Sequence, residues 1–179
     1  MIDKKELKEY AKKVKADLIG IANIERFDGI EKQHHPKSIF PEAKTVIVVG
    51  KRITRGTLRG VEEGTQFGIY SIYGRLWLED RFLAMVTFKI SEFLEDNGYE
   101  AVPLPNIPSD TPPMGIPVKR GYPAPNVLID IEDAAIRAGL GEIGYCGIFL
   151  TPEFGPRQKF QAIITDAEIE PDPIKNENI

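Results

Sequence analysis

The chain has 179 residues, 42% hydrophobic and 28% charged, with a formal net charge of −4 at neutral pH. This length can enclose a hydrophobic core within one domain, and the composition excludes the disordered, fibrous and low-complexity classes. The acidic balance supplies no global positive field for nucleic acid or an anionic membrane, so neither is expected as a partner.

The N-terminal MIDKKELKEYAKK lacks the apolar core of a secretion signal, and no stretch approaches the roughly 18 consecutive apolar residues of a membrane span. A cytoplasmic protein is the expectation. Asp3 followed by Glu6 forms a capping pattern, and Leu7, Ala11 and Val14 recur at helical spacing, so the first element is a helix with lysines on its wet side. Asp17–Ala22 reads as a short buried strand in which Gly20 permits close backbone approach. The following loop carries His34 and His35, whose adjacency points them to different sides of most backbones and argues against a metal site.

Thr45–Gly50 is a β-branched run buried on both faces. It leads into KRITRGTLRG, which either grips an anionic group such as a phosphate or is a soluble connection. The longest helix is predicted from about Leu76 to Asn97, with Gly98 as its left-handed stop. Trp77, Phe82 and Met85 widen its apolar surface, which suits either full burial or a face engaged by a second subunit, giving a possible homodimer. Tyr99–Leu104 reads as a strand. The segment from Pro103 to Asn126 then holds eight of the fourteen prolines and reads as a long binding loop, lid or draped surface loop.

A short helix follows in IDIEDAAIRAGL, ending at Gly139; GIFLTPEF and KFQAIITD are strands, the latter placing Phe160, Ala162 and Ile164 on one face. Residues 1–170 are thus expected to form a single α+β domain, and 171–179 a frayed polar tail.

Gly139, Gly141 and Gly144 satisfy G-x-G-x-x-G. A dinucleotide-binding turn must follow a strand and open a helix, whose N-terminal amides hold the pyrophosphate. Here a helix comes first and a strand second, so that use is disfavoured. Two readings stay open: the glycines leave bare main chain on which a broad flat ligand can lie, or they only end a helix and turn the chain.

The segment AGLGEIGYCGIFLTPEFGPRQKFQAIITD resembles the A-G-L-G-x-I-G-x-x-x-L-L-T-P-E-F-G-x-R block of corrinoid-dependent epoxyqueuosine reductases and reductive dehalogenases. ADLIGIA, HHPKSIFPEAKTVIVVGKR and FLEDNGYEAVPL agree in order, so the resemblance covers most of the chain. It implies a nitroreductase-like α+β fold, a central mixed β-sheet flanked by helices, holding cobalamin with its lower base detached. It also implies a ferredoxin-like domain or protein as electron donor. Cys146 is the only cysteine, and about four thiolates are needed for a cluster, so no iron–sulfur cluster is expected on this chain.

Under the resemblance, a cleft bounded by the glycine turn, the basic loop after TVIVVG and the proline-rich loop binds the corrinoid. Arg52 and Arg157 would serve the cofactor periphery, and Gly139, Gly141, Glu142, Ile143, Gly144 and Tyr145 the contact along the turn. Two departures from the family pattern stand out. The position of the family's catalytic Asp, thirteen residues before Ala138, is Pro125, with Asp130 the nearest carboxylate; the proton donor and catalytic residues are unassigned. Glu142 and Tyr145 replace a Trp and a Lys of related W-I-G-K sequences, and Tyr145 offers a phenolic proton or a structural role. The substrate is expected to be a small molecule. Two alternatives remain: an FMN-binding nitroreductase-like enzyme completed by a dimer interface, and a non-catalytic cofactor subunit that docks on a ferredoxin.

Overall fold

The computed structural model describes residues 2–107 and 111–175. Helix α1 (Lys4–Lys13) starts where the capping pattern places it: the Asp3 carboxylate accepts from the Lys5 amide at 3.2 Å, and Leu7 and Ala11 are buried. Strands β1 (Leu18–Asn23) and β2 (Thr45–Arg52) follow, then a single turn α2 (Arg59–Glu62). The long helix is continuous but begins earlier than predicted. π-helical stretches Tyr70–Leu76 and Leu78–Leu83 run into α3 (Ala84–Asp96), and Gly98 adopts φ +85° just beyond it. Strand β3 (Ala101–Leu104), helix α4 (Ile131–Arg137), the two-residue strands β4 (Glu142–Ile143) and β5 (Phe149–Leu150), and β6 (Gln158–Thr165) complete the chain.

The main sheet has the order β1-β2-β6-β3. The architecture is α+β with a helix-flanked sheet, but each pairing in that sheet is antiparallel where a mixed sheet was expected. The last strand inserts between β2 and β3 because β2 and β6 carry the two longest apolar runs and both need neighbours on either edge. β3 sits at the rim, where Pro103, lacking an N–H, costs least.

Because side chains alternate along a strand, β2 and β6 feed two separate cores. Val46, Val48, Ala162 and Ile164 face α4, Phe27, Phe40 and Phe149. Ile47, Val49 and Ile163 face α1, α3 and the end of the π-helical stretch before it through Leu7, Ala11, Ile90, Leu94 and Leu83. This two-sided cover is why TVIVVG contains no polar alternation.

The expected frayed tail is instead docked as far as Lys175. Asp172 donates its amide to Ile21 O at 2.8 Å, and its carboxylate accepts from Ile21 N at 3.1 Å, covering the free edge of β1. Residues 176–179 lie outside the described residues. The proline-rich segment, apart from 108–110, which also lie outside them, forms no helix or strand after Leu104. Its C-terminal half is tied to residues 32–34: the Gln33 amide donates to Ala124 O and Asn126 O, and His34 Nδ1 meets Leu128 O at 2.9 Å.

His35 turns the other way and accepts from the Lys37 amide through Nδ1 at 3.0 Å. Burial, followed by the neighbouring Lys37 charge, lowers its pKa below the ordinary 6.5, with Asp28 opposing. Protonation therefore favours the unfolded chain. Stability is expected to be fully present above about pH 6.5 and to decline as pH falls through the lowered folded value. Urea midpoints measured against pH should show this decline and lose it in His35→Gln; identical profiles for the two proteins would refute it.

Candidate functional site

The glycine block is assembled from α4 outward. Asp130 caps α4 by accepting from the amides of Glu132 and Asp133 at 2.9 and 3.0 Å, so the carboxylate nearest the missing catalytic Asp is a helix cap. At the other end Arg137 donates to Asp133 at 2.6 Å, lies 5.3 Å over the Phe27 ring, and exchanges guanidinium-to-carbonyl bonds with Arg26. Gly139 then adopts φ +73°, with its amide bonded to Ile136 O and the Leu140 amide to Ala135 O, which ends the helix as predicted.

The chain next forms a hairpin, β4 with β5, pairing Glu142 with Leu150 and Ile143 with Phe149. Its turn is closed by Gly147 N to Gly144 O at 2.9 Å and Gly144 N to Ile148 O at 2.9 Å. The expectation of bare main chain at the glycines is corrected here. A Cβ on Gly139 would lie 2.1 Å from Pro173 O, one on Gly141 1.9 Å from Leu150 O, and one on Gly144 2.5 Å from a Leu150 methyl. The glycines are small because the chain packs its own backbone and Leu150 against them, and the amides of Gly139 and Gly144 are internally bonded.

Beside this hairpin, at the end of the sheet where β2 stops and β6 starts, is a cleft of about 220 Å³. Ile53, Ile131, Ile148, Phe149 and Phe160 supply apolar walls; Tyr70, Asn106, Glu132 and Lys159 supply polar ones. Phe149 meets Phe160 edge to face at 5.3 Å, and Lys159 pairs with Glu79 at 2.7 Å. The hairpin borders it through Ile148 and Phe149, the chain after β2 through Ile53, and the proline-rich segment through Asn106.

None of the eight residues singled out from the sequence is among those lining this cleft. Arg157 braces it from behind, donating to Ile53 O at 3.2 Å while Ile53 N donates to Arg157 O. Gly141, Glu142, Ile143 and Gly144 build the hairpin, and Tyr145 stands fully exposed at its tip. Arg52 points elsewhere, toward Asp17 at 3.8 Å and the Phe154 ring at 5.9 Å. Gly139 borders a different hollow under the C-terminal segment.

Larger hollows lie elsewhere, two of them, of about 870 and 710 Å³, beside α1 and β1. We favour the smaller cleft because it is walled by the hairpin of the glycine block, whereas in the two hollows beside α1 and β1 Lys8 pairs with Asp172 at 2.6 Å and Lys51 and Arg52 with Asp17. The basic loop after β2 is neutralised likewise: Arg55 pairs with Glu62 at 2.6 Å and Arg59 with Glu63 at 2.7 Å, which counts against the anion-gripping reading. Among the described residues no group of three His, Cys, Asp or Glu could hold a metal ion, and no helix is long and apolar enough to cross a membrane.

The cleft residues missed in the sequence include Ile53, Ile148, Phe149, Lys159 and Phe160. The available signal was the turn inside EIGYCGIFL: two short β-prone runs around glycines at 144 and 147 read as a hairpin, which brings Phe149 back onto the sheet.

No family model matches the chain. The tetrachloroethene reductive dehalogenase of Desulfitobacterium hafniense is 34% identical over 90 residues, covering 50% of this chain and 13% of that protein; the enzyme of Dehalobacter restrictus matches to the same extent. Epoxyqueuosine reductase from Bacillus subtilis, solved with its catalytic Asp loop swung out of the active site, superposes with a TM-score of 0.60 at 18% identity, covering 97% of this chain and 48% of its own. A reductive dehalogenase whose structure suggests a mechanism for B12-dependent dehalogenation gives a TM-score of 0.62 at 17% identity, with 96% and 22% covered. The chain thus spans about half of the first structure and under a quarter of the second. In fold over nearly all of its length this chain resembles the epoxyqueuosine reductases and reductive dehalogenases, and in sequence over half of its length it resembles the reductive dehalogenases.

Proposed function

We propose that this chain is a corrinoid-binding domain of an iron–sulfur-dependent reductase that receives electrons from an external ferredoxin-like donor and acts on a small molecule. The observation that carries the reading is the hairpin of the glycine block forming one wall of the cleft at the open end of the sheet, in a fold shared with a B12-dependent dehalogenase. The residues fit one face of a corrinoid: aliphatic and aromatic walls suit a flat apolar macrocycle, and Tyr70, Asn106 and Lys159 suit an amide-bearing rim. The cleft volume is below the roughly 300–1,000 Å³ of an enclosing ligand site. This chain therefore supplies one wall of the cofactor's surroundings.

When bound, the corrinoid's cobalt supplies the electron chemistry, and the protein supplies binding, orientation and water exclusion. Ile148, Phe149 and Phe160 would shield the cofactor's face from water. Arg157 holds Ile53 and the chain after β2 in register with β6, so that the cleft floor stays fixed.

The test is to incubate the purified chain with aquacobalamin, with FMN or with neither, desalt, and record the visible spectrum. The expected result is retained corrinoid absorbance with a base-detached spectrum. Ile148→Glu, at a half-exposed cleft position, should cut retention at least tenfold while leaving the thermal midpoint within about 2 °C. Retention of flavin in place of corrinoid, or of neither, would overturn the proposal.

A further inference from the structure

The outer face of the helical segment from Tyr73 to Phe88 carries Tyr73, Leu76, Trp77, Phe82, Met85 and Phe88, each 37–58% exposed. The wide π-helical turns set three of the rings in one row: Tyr73 to Trp77 at 5.3 Å and Trp77 to Phe82 at 6.4 Å between centroids. Met85 and Phe88 continue it at helical spacing along α3. The opposite face is fixed in the core by Leu78, Leu83 and Ile90, and the Gln161 amide bonds Glu79 O at 3.1 Å. The exposed row is thus rigidly presented.

Large apolar side chains carry about 150–250 Å² each. Roughly half exposed, these six present on the order of 500–600 Å², at the upper limit of what a monomer leaves bare. Adding the polar side chains between them approaches the roughly 800 Å² per partner of a stable interface.

We infer that this face is a two-fold interface with a second copy of the chain. The charge pattern selects a second copy over an unrelated partner. Arg75 and Asp80 are exposed and neither forms an ion pair among the described residues, whereas nearby Glu79 pairs with Lys159, Lys89 with Glu92, and Arg81 covers the Trp77 ring at 5.0 Å. Arg75 and Asp80 lie symmetrically about the Trp77–Leu78 peptide. An antiparallel crossing centred there sets Arg75 against the partner's Asp80, and Asp80 against the partner's Arg75, as an isologous contact requires. Tyr70, which lines the cleft, lies one turn from Tyr73, so the second copy would border the cleft mouth. The inference does not depend on which cofactor is bound.

Sedimentation equilibrium across the micromolar range tests it on the full chain. The expected mass is twice 20.0 kDa. Met85→Glu/Phe88→Glu should give monomer with an unchanged far-ultraviolet circular dichroism spectrum. Arg75→Asp should weaken association at least about tenfold, and the exchange Arg75→Asp/Asp80→Arg should restore it. A wild-type mass of one chain, an indefinite aggregate in place of a dimer, or an exchange variant that stays as weak as Arg75→Asp would each overturn the inference.

Discussion

Gly141→Ala is expected to lower the stability of the chain by about 3 kcal/mol or more, and its melting temperature by roughly 6–12 °C. The added methyl would sit 1.9 Å from Leu150 O, a backbone atom that no rotamer change can move. Relief requires α4 and β5 to separate. The Arg137–Arg26 clamp and the Phe149–Phe160 contact hold those elements from opposite sides. Gly147 is the control: it has φ +73° and open space where its Cβ would go, so Gly147→Ala carries only the left-handed strain of about 1–2 kcal/mol. Paired thermal unfolding of the two variants distinguishes steric exclusion from conformational preference. Equal losses would show that the hairpin does not pack as described. Because the hairpin walls the cleft, Gly141→Ala should also lose corrinoid retention, by a route separable from Ile148→Glu through its melting temperature.

The second large effect is at Asp172. Its carboxylate, only 13% exposed, accepts from Ile21 N at 3.1 Å and pairs with Lys8 at 2.6 Å and Lys4 at 3.6 Å. Asp172→Ala leaves the Ile21 amide without its partner and Lys8 without its carboxylate, while Lys4 keeps Glu170 at 3.1 Å, a loss of about 2 kcal/mol. Asp172→Asn keeps an acceptor for Ile21 and loses only the charge, so about half that cost is expected. The urea midpoint should fall in that order, and limited proteolysis should cut the C-terminal segment after Ile169 first. Wild-type resistance to protease in Asp172→Ala would mean that the segment is held by something else. The same docked segment explains Gly139, whose Cβ would meet Pro173 O at 2.1 Å, so releasing the tail should partly rescue Gly139→Ala.

Much of the architecture was legible because its causes are local. The Asp3 cap, the two-sided burial of Thr45–Gly50, the Gly98 and Gly139 helix ends, and the order of helix then strand around the glycines all follow from residues within one or two turns of each other. The resemblance in the AGLGEIGYCGIFLTPEFGPR block was also readable, since it rests on contiguous residues. The cleft was not. Arg52 looked like a ligand for an anionic rim but is drawn by Asp17, thirty-five positions away in sequence, to the opposite side of the strand end. The arginines of KRITRGTLRG looked free until α2 set Glu62 and Glu63 one turn from them.

Taken alone, the amino-acid sequence determined the first helix, the strands around Thr45–Gly50 and Phe160–Ile164, the helix ends at Gly98 and Gly139, and that the glycines follow a helix, because dihedral preference and apolar period are properties of neighbours. Tertiary structure decided that β6 would enter the middle of an antiparallel sheet and that the polar tail would seal β1. It also decided that Ile53, Phe149 and Lys159, brought from three distant stretches, would face one cleft. Those outcomes depend on which distant surfaces exclude water together and which backbones must touch, and a glycine records such a contact only once the carbonyl opposite it, here Leu150 O, is in place.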